Sequence, residues 1–140
     1  MLAGQTPVLV HNCGDIGQQV EHGSTELSRA TAFQRLLDNN RGNLYGAARL
    51  RDGNIIAAHS DDAGHAEEYL VQKARGGSNI AEMYTEYGMC PRCQGPGGKR
   101  AVLSSLPADV QLTYSIPFAN PASRTAARTA LRGVIKSIFG

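Results

Sequence analysis

No apolar run in the 140 residues approaches the roughly 20 needed to cross a bilayer. The N-terminus also lacks the basic region and apolar stretch of a signal peptide. The chain is therefore read as neither a membrane protein nor one exported by its own leader. Cysteine is scarce and odd in number, three in all, which argues against a disulfide framework. An excess of one charge is almost absent: the formal net charge is +2, too small on its own to demand a polyanionic partner. What is present is a hydrophobic fraction of 41% in a length suited to one domain with one core. There is no internal repeat.

Residues 14–24 are glycine-rich and polar and read as linker or loop. Ser24 or Thr25 then offers an N-cap, and Leu27, Ala30, Ala32, Phe33, Leu36 and Leu37 give a helix-spaced apolar face closed by Asn39-Asn40-Arg41-Gly42. Two strand-like runs, 44–50 and 54–60, flank the hairpin signal Asp52-Gly53. Ser60 to Gly64 reads as a flexible polar loop, His65 to about Ala74 as a helix, and Ile80 to Glu86 as a third strand. After Gly95-Pro96-Gly97-Gly98 come a helix over about 99–106, an alternating strand over 110–118, and a final helix opened by Asn120-Pro121. The predicted order is α-β-β-α-β-α-β-α. Arg124, Arg128, Arg132 and Lys136 recur every four residues on that last helix, either as a basic stripe for a polyanion or as a solvated face.

His65-Ala66-Glu67, read with Cys90-Pro91-Arg92-Cys93, carries the chemistry. One imidazole and two thiolates fill three tetrahedral positions on Zn²⁺ and leave the fourth open, which distinguishes a catalytic zinc site from a structural one. Glu67, two residues past His65, is placed to act on a water there. His-x-Glu followed by Cys-x-x-Cys is the signature of zinc-dependent nucleobase deaminases, in which the glutamate is general acid/base and not a ligand. Either half alone is weak, since a lone Cys-x-x-Cys can be a redox pair or half a zinc ribbon. A helix starting at Cys90 would favour both thiolates, and Cys13 would remain a free thiol. Glu68 reads as a solvated carboxylate.

The motif order resembles the cytidine-deaminase-like superfamily over residues 24–139. Tyr84-Thr85-Glu86 before the cysteines, and Leu106-Pro107 leading to Thr113-Tyr114-Ser115-Ile116-Pro117-Phe118, resemble bacterial toxin deaminases of the Xanthomonas type. Met89 stands where the family motif has proline. The resemblance implies a three-layer α/β/α fold with a mixed sheet of four to five strands. It also implies Zn²⁺ held by His65, Cys90 and Cys93, with Glu67 catalytic. Tyr87 lies three positions before the first cysteine, where polynucleotide deaminases often carry an aromatic against the target base. Tyr87 and Phe118 are the candidates to stack a base, and Asn54 and His59 are weaker substrate-binding candidates.

Thr6-Pro7-Val8-Leu9-Val10-His11-Asn12-Cys13 resembles the junction before the C-terminal toxin module of Rhs-type polymorphic toxins. It implies that residues 1–23 end a junction and linker, that 24–140 are the toxin domain, and that the whole is the tip of a larger secreted protein acting in the cytoplasm of a target cell. His11 and Cys13 are then linker bystanders. The expected substrate is cytosine in a polynucleotide, converted to uracil, with single-stranded DNA ahead of RNA and free nucleosides last; adenine and RNA remain alternatives. A cognate immunity protein is the expected partner, with no membrane, and the isolated domain is expected to be monomeric. Two other classes stay open: a thiol-disulfide oxidoreductase using Cys90 and Cys93, and a non-catalytic zinc module, which would leave Glu67 without a task.

Overall fold

The computed structural model describes residues 16–88, 102, 105–118 and 124–140. Asp52-Gly53 lies in the connection that joins β2 (Tyr45–Leu50) and β3 (Ile55–His59) as an antiparallel hairpin in register from Tyr45↔His59 to Arg49↔Ile55. β2 pairs antiparallel on its other side with β4 (Ile80–Tyr87), and β4 pairs parallel with β5 (Gln111–Ile116). β1, only Gln18–Gln19, runs parallel to β5 at the edge, so the order is β1-β5-β4-β2-β3. The loop expected over 14–24 thus contributes a strand; both of its residues are exposed polar side chains, so no alternation announces it. β4 and β2 approach closely at Gly46, where a Cβ would stand 2.9 Å from the Tyr84 carbonyl oxygen.

Helices cover both faces of this mixed sheet. α1 (Glu26–Asp38) starts at Thr25, whose hydroxyl accepts the Ser28 N–H at 3.1 Å while Ser28 Oγ accepts the Thr25 N–H at 3.1 Å. Its Leu27 packs on Ala47 and Tyr84. On the opposite face α2 (Ala66–Lys73) and the residue after it bring Leu70 and Ala74 onto Ala48, Ala58, Ile80 and Met83. Each fully buried Leu or Ile there contributes about 1.5–3 kcal/mol. α3 (Arg124–Phe139) packs Ala127 against Tyr87 and Ile116 and also touches α1. This is the α/β/α arrangement expected. The helix expected over 99–106 falls outside the described residues except for Val102, Ser105 and Leu106, as does the junction-like segment with His11 and Cys13.

One expectation fails in α1. Phe33, Leu36 and Leu37 are exposed, and the buried side is Leu27, Ser28, Thr31 and Arg35. The reason is electrostatic. Arg35 is completely buried against Glu86 of β4, Nη2 to Oε1 at 2.5 Å, and its guanidinium lies over the Tyr45 ring, 4.5 Å from the centroid. Anchoring that ion pair turns the apolar ridge outward.

Candidate active site

The strand register gathers the relevant chain ends on one side of the sheet. Tyr45 opposite His59, Gly46 opposite Thr85, and Tyr87 opposite Ile116 align the start of β2 with the ends of β3, β4 and β5. α2 begins shortly after β3 leaves that side. The chain leaves β4 there through Gly88, whose N–H donates to the Ile116 carbonyl at 3.0 Å, two residues before Cys90. In α/β sheets, the carboxyl ends of parallel strands such as β4 and β5 are where ligands bind.

The loop into α2, expected to be polar and flexible, is tied together by hydrogen bonds through Asp61. Asp61 Oδ1 accepts from the Ala63 N–H at 2.8 Å, the Gly64 N–H at 3.0 Å and the Tyr69 hydroxyl at 2.6 Å. The Asp61 N–H donates to the Gly64 carbonyl at 3.0 Å. The Tyr69 hydroxyl, helped by those backbone N–H groups, holds the Asp61 carboxyl below the usual carboxylate range. Gly64 is closely packed: a Cβ there would stand 3.0 Å from Glu68 Oε1 and 3.1 Å from the Tyr69 hydroxyl, so both side chains would have to shift by a few tenths of an ångström.

His65 is the N-cap of α2, extended at φ −95° and ψ 158°, and its N–H donates to Glu68 Oε1 at 2.6 Å. Glu68 is therefore not merely a solvated carboxylate: it closes the first turn, where the helix dipole also favours its charge. His65 is exposed, whereas Glu67 is 4% exposed. An accessible imidazole is thus followed, two residues on, by a carboxylate withdrawn from bulk water. That pairing suits a ligand beside a general acid/base.

Of the substrate-binding candidates, the structure brings two together. Tyr87 and Phe118 stack, with ring centroids 4.4 Å apart and planes 16° from parallel, where β4 and β5 end. Tyr87 is 8% exposed and belongs to the apolar cluster with Ile116 and Ala127, while Phe118 is half-buried beside it. His59 ends β3 on the same side of the sheet, its Nδ1 2.7 Å from the Ser60 carbonyl and its ring 5.2 Å from that of Tyr45. Asn54 does not join them. It sits in the hairpin connection at the other end of β3, with its side-chain amide donating to Asp52 Oδ2 at 3.2 Å and its backbone N–H to Asp52 Oδ1 at 3.0 Å.

Cys90 and Cys93 lie outside the described residues, and among the described residues no three His, Cys, Asp or Glu side chains gather as a metal site. The described part therefore carries one of the three expected ligands, His65. An imidazole with two thiolates is a donor set that suits zinc, and the exposure of His65 at a helix start is compatible with that role. Sequence reasoning missed Asp61, Tyr69, Arg35 and Glu86 as the residues that fix this side of the sheet. For Asp61 a signal existed in Asp-x-x-Gly, an aspartate able to bond backbone groups two and three residues on. For Arg35 and Glu86, 51 residues apart, there was none.

The model of the Xanthomonas-like deaminase family matches residues 41–134, more than half of the chain and inclusive of His65, Glu67, Cys90 and Cys93. No curated protein and no solved structure matches the chain.

Proposed function

The chain belongs to the Xanthomonas-like deaminase family, and we propose that it is a zinc-dependent cytosine deaminase of nucleic acid, with single-stranded DNA as its preferred substrate. The opening of α2 carries this reading: His65 is exposed, Glu67 is buried two residues later, and both lie on the side of the sheet from which β4 runs toward Cys90. His65, Cys90 and Cys93 would hold zinc, whose Lewis acidity makes water ionisable near neutral pH. Glu67 would accept one proton of the attacking water and deliver it to the ring nitrogen next to the reacting carbon, then take the second from the new C4 hydroxyl and deliver it to the departing amino group, which leaves as ammonia. Water oxygen joins C4, the C4–N bond breaks, and the products are uracil and ammonia.

Single strands are favoured because unstacking and unpairing a duplex base costs a few kcal/mol that an unpaired base does not. The stacked pair Tyr87 and Phe118 supports a polynucleotide substrate over a free nucleoside. The junction-like Thr6 to Cys13 supports a wider setting. In it the domain is the C-terminal part of a secreted antibacterial toxin, acts as a monomer in the recipient cytoplasm, and is held in check in the producer by an immunity protein.

The test is incubation of purified protein with matched single-stranded DNA, duplex DNA and RNA, read by sequencing, with Glu67→Gln as control and zinc content measured on both proteins. C-to-U change confined to the wild type, with about one zinc per chain in each, is the expected result. Conversion of adenine, or of RNA only, would overturn the substrate. A metal-free protein cycling between dithiol and disulfide would overturn the mechanism.

A further inference from the structure

α3 concentrates charge in a way the rest of the chain does not. Residues 124–139 include Arg124, Arg128, Arg132 and Lys136 and no acidic residue, a charge of +4; with a net charge of +2 overall, the remainder carries +2 − 4 = −2. Elsewhere several arginines are neutralised: Arg35 pairs with Glu86, Arg49 with Glu26 and Glu82, and Arg51 with Asp109. None of the four α3 cations enters an ion pair among the described residues, and Arg128, Arg132 and Lys136 are exposed. A row of unneutralised cations costs self-repulsion in the free protein, and an anionic partner relieves it.

Both ends of this row meet aromatic rings. At one end the Arg124 guanidinium lies 5.2 Å from the centroid of Phe118, which stacks on Tyr87. The charges of Arg128 and Arg132 also reach Tyr87, where they oppose the upward push of burial on its hydroxyl. At the other end Arg132, Lys136, Arg41 and Phe139 line an open cavity of about 350 Å³, with the Arg41 guanidinium 4.1 Å from the Phe139 centroid. Arg41 is carried to this place by Arg35, which donates to the carbonyls of Asn40 at 3.2 Å and Asn43 at 2.8 Å. At a rise of 1.5 Å per residue, the four cations span about 18 Å of helix, in steps of about 6 Å.

We propose that α3 and the Arg41–Phe139 cavity form a track for the phosphate backbone of a single-stranded nucleic acid, leading away from the Tyr87–Phe118 stack. Cations spaced along a strand's path and aromatic rings beside it are the two elements that sequence-tolerant single-strand binding combines. The inference rests on the nucleic-acid reading above and adds the path and the residues that hold the strand.

The experiment measures binding of a labelled single-stranded DNA oligonucleotide, long enough to run the length of α3, to the Glu67→Gln protein across a salt series. Arg132→Gln and Lys136→Gln are each compared with Arg75→Gln, which removes one exposed positive charge elsewhere. Each α3 substitution is expected to weaken binding several-fold and to reduce the slope of log affinity against log salt by about 0.7, the release expected for one lost phosphate contact on a single strand. Arg75→Gln is expected to do neither. Tight binding by the parent with unchanged affinity and slope in the α3 variants would overturn the track and leave the nucleic-acid reading standing. Absence of salt-dependent binding to both DNA and RNA by the parent would overturn that reading and the track with it. Capture of an acidic protein by this face, with oligonucleotide affinity unchanged, would overturn the track in favour of a protein partner.

Discussion

Glu86 accepts two buried hydrogen bonds on one oxygen, from Arg35 Nη2 at 2.5 Å and from the Tyr45 N–H at 2.7 Å, and so ties α1 to β2 and β4 immediately before Tyr87. Burial pushes the Glu86 carboxyl up, while Arg35 and the Tyr45 N–H pull it back. Removing one partner strands a buried charge. Glu86→Gln should therefore cost about 3–5 kcal/mol, whereas Arg35→Met with Glu86→Leu should recover only part of the loss, because the buried Tyr45 N–H then lacks its acceptor. Denaturant unfolding of the two variants checks this; a Glu86→Gln protein as stable as its parent would show the pair to be dispensable.

Periodicity made the strands and helices legible, and the residues it misjudged show what it measures. The hairpin signal Asp52-Gly53 between two strand-like runs found β2 and β3, alternation found β5, and His65-Ala66-Glu67 found the start of α2, because all three signals are local. The buried face of α1 is decided by Glu86, far along the chain, and no local pattern reports it. A direct consequence follows for two leucines of α1. Leu27→Ala should cost about 2–5 kcal/mol, because Leu27 is 2% exposed in the core. Leu37→Ala, at 63% exposure, should stay within about 0.5 kcal/mol. Equal losses in thermal unfolding would reverse the assignment of that face.

The Asp61–Tyr69 bond should show itself in the pH dependence of stability. Because the folded carboxyl is held low, chiefly by the Tyr69 hydroxyl, its stabilising contribution is full above the usual carboxylate range near 4 and is lost as pH falls through the folded value. Tyr69→Phe removes that cause. The variant should melt below the wild type at about pH 7, and the gap should close toward about pH 3. A gap independent of pH would mean that the ring packing of Tyr69, and not its hydroxyl, holds the loop ahead of His65.

Tyr87 and Phe118 stack on each other, yet substitution should separate their roles. Tyr87 is 8% exposed and packs on Ile116 and Ala127, so Tyr87→Ala opens a core site and should cost stability on the order of 3–5 kcal/mol, as large aromatic truncations do. Phe118 is half-buried after the end of β5, beneath the Arg124 guanidinium. Phe118→Leu keeps apolar bulk and should change stability by less than about 1.5 kcal/mol. What it removes is a flat π-face. If a base stacks there, losing about 1–3 kcal/mol of stacking should lower kcat/KM on single-stranded DNA roughly ten- to a hundred-fold. Normal deamination by a well-folded Phe118→Leu protein would return Phe118 to the core and leave Tyr87 as its support alone.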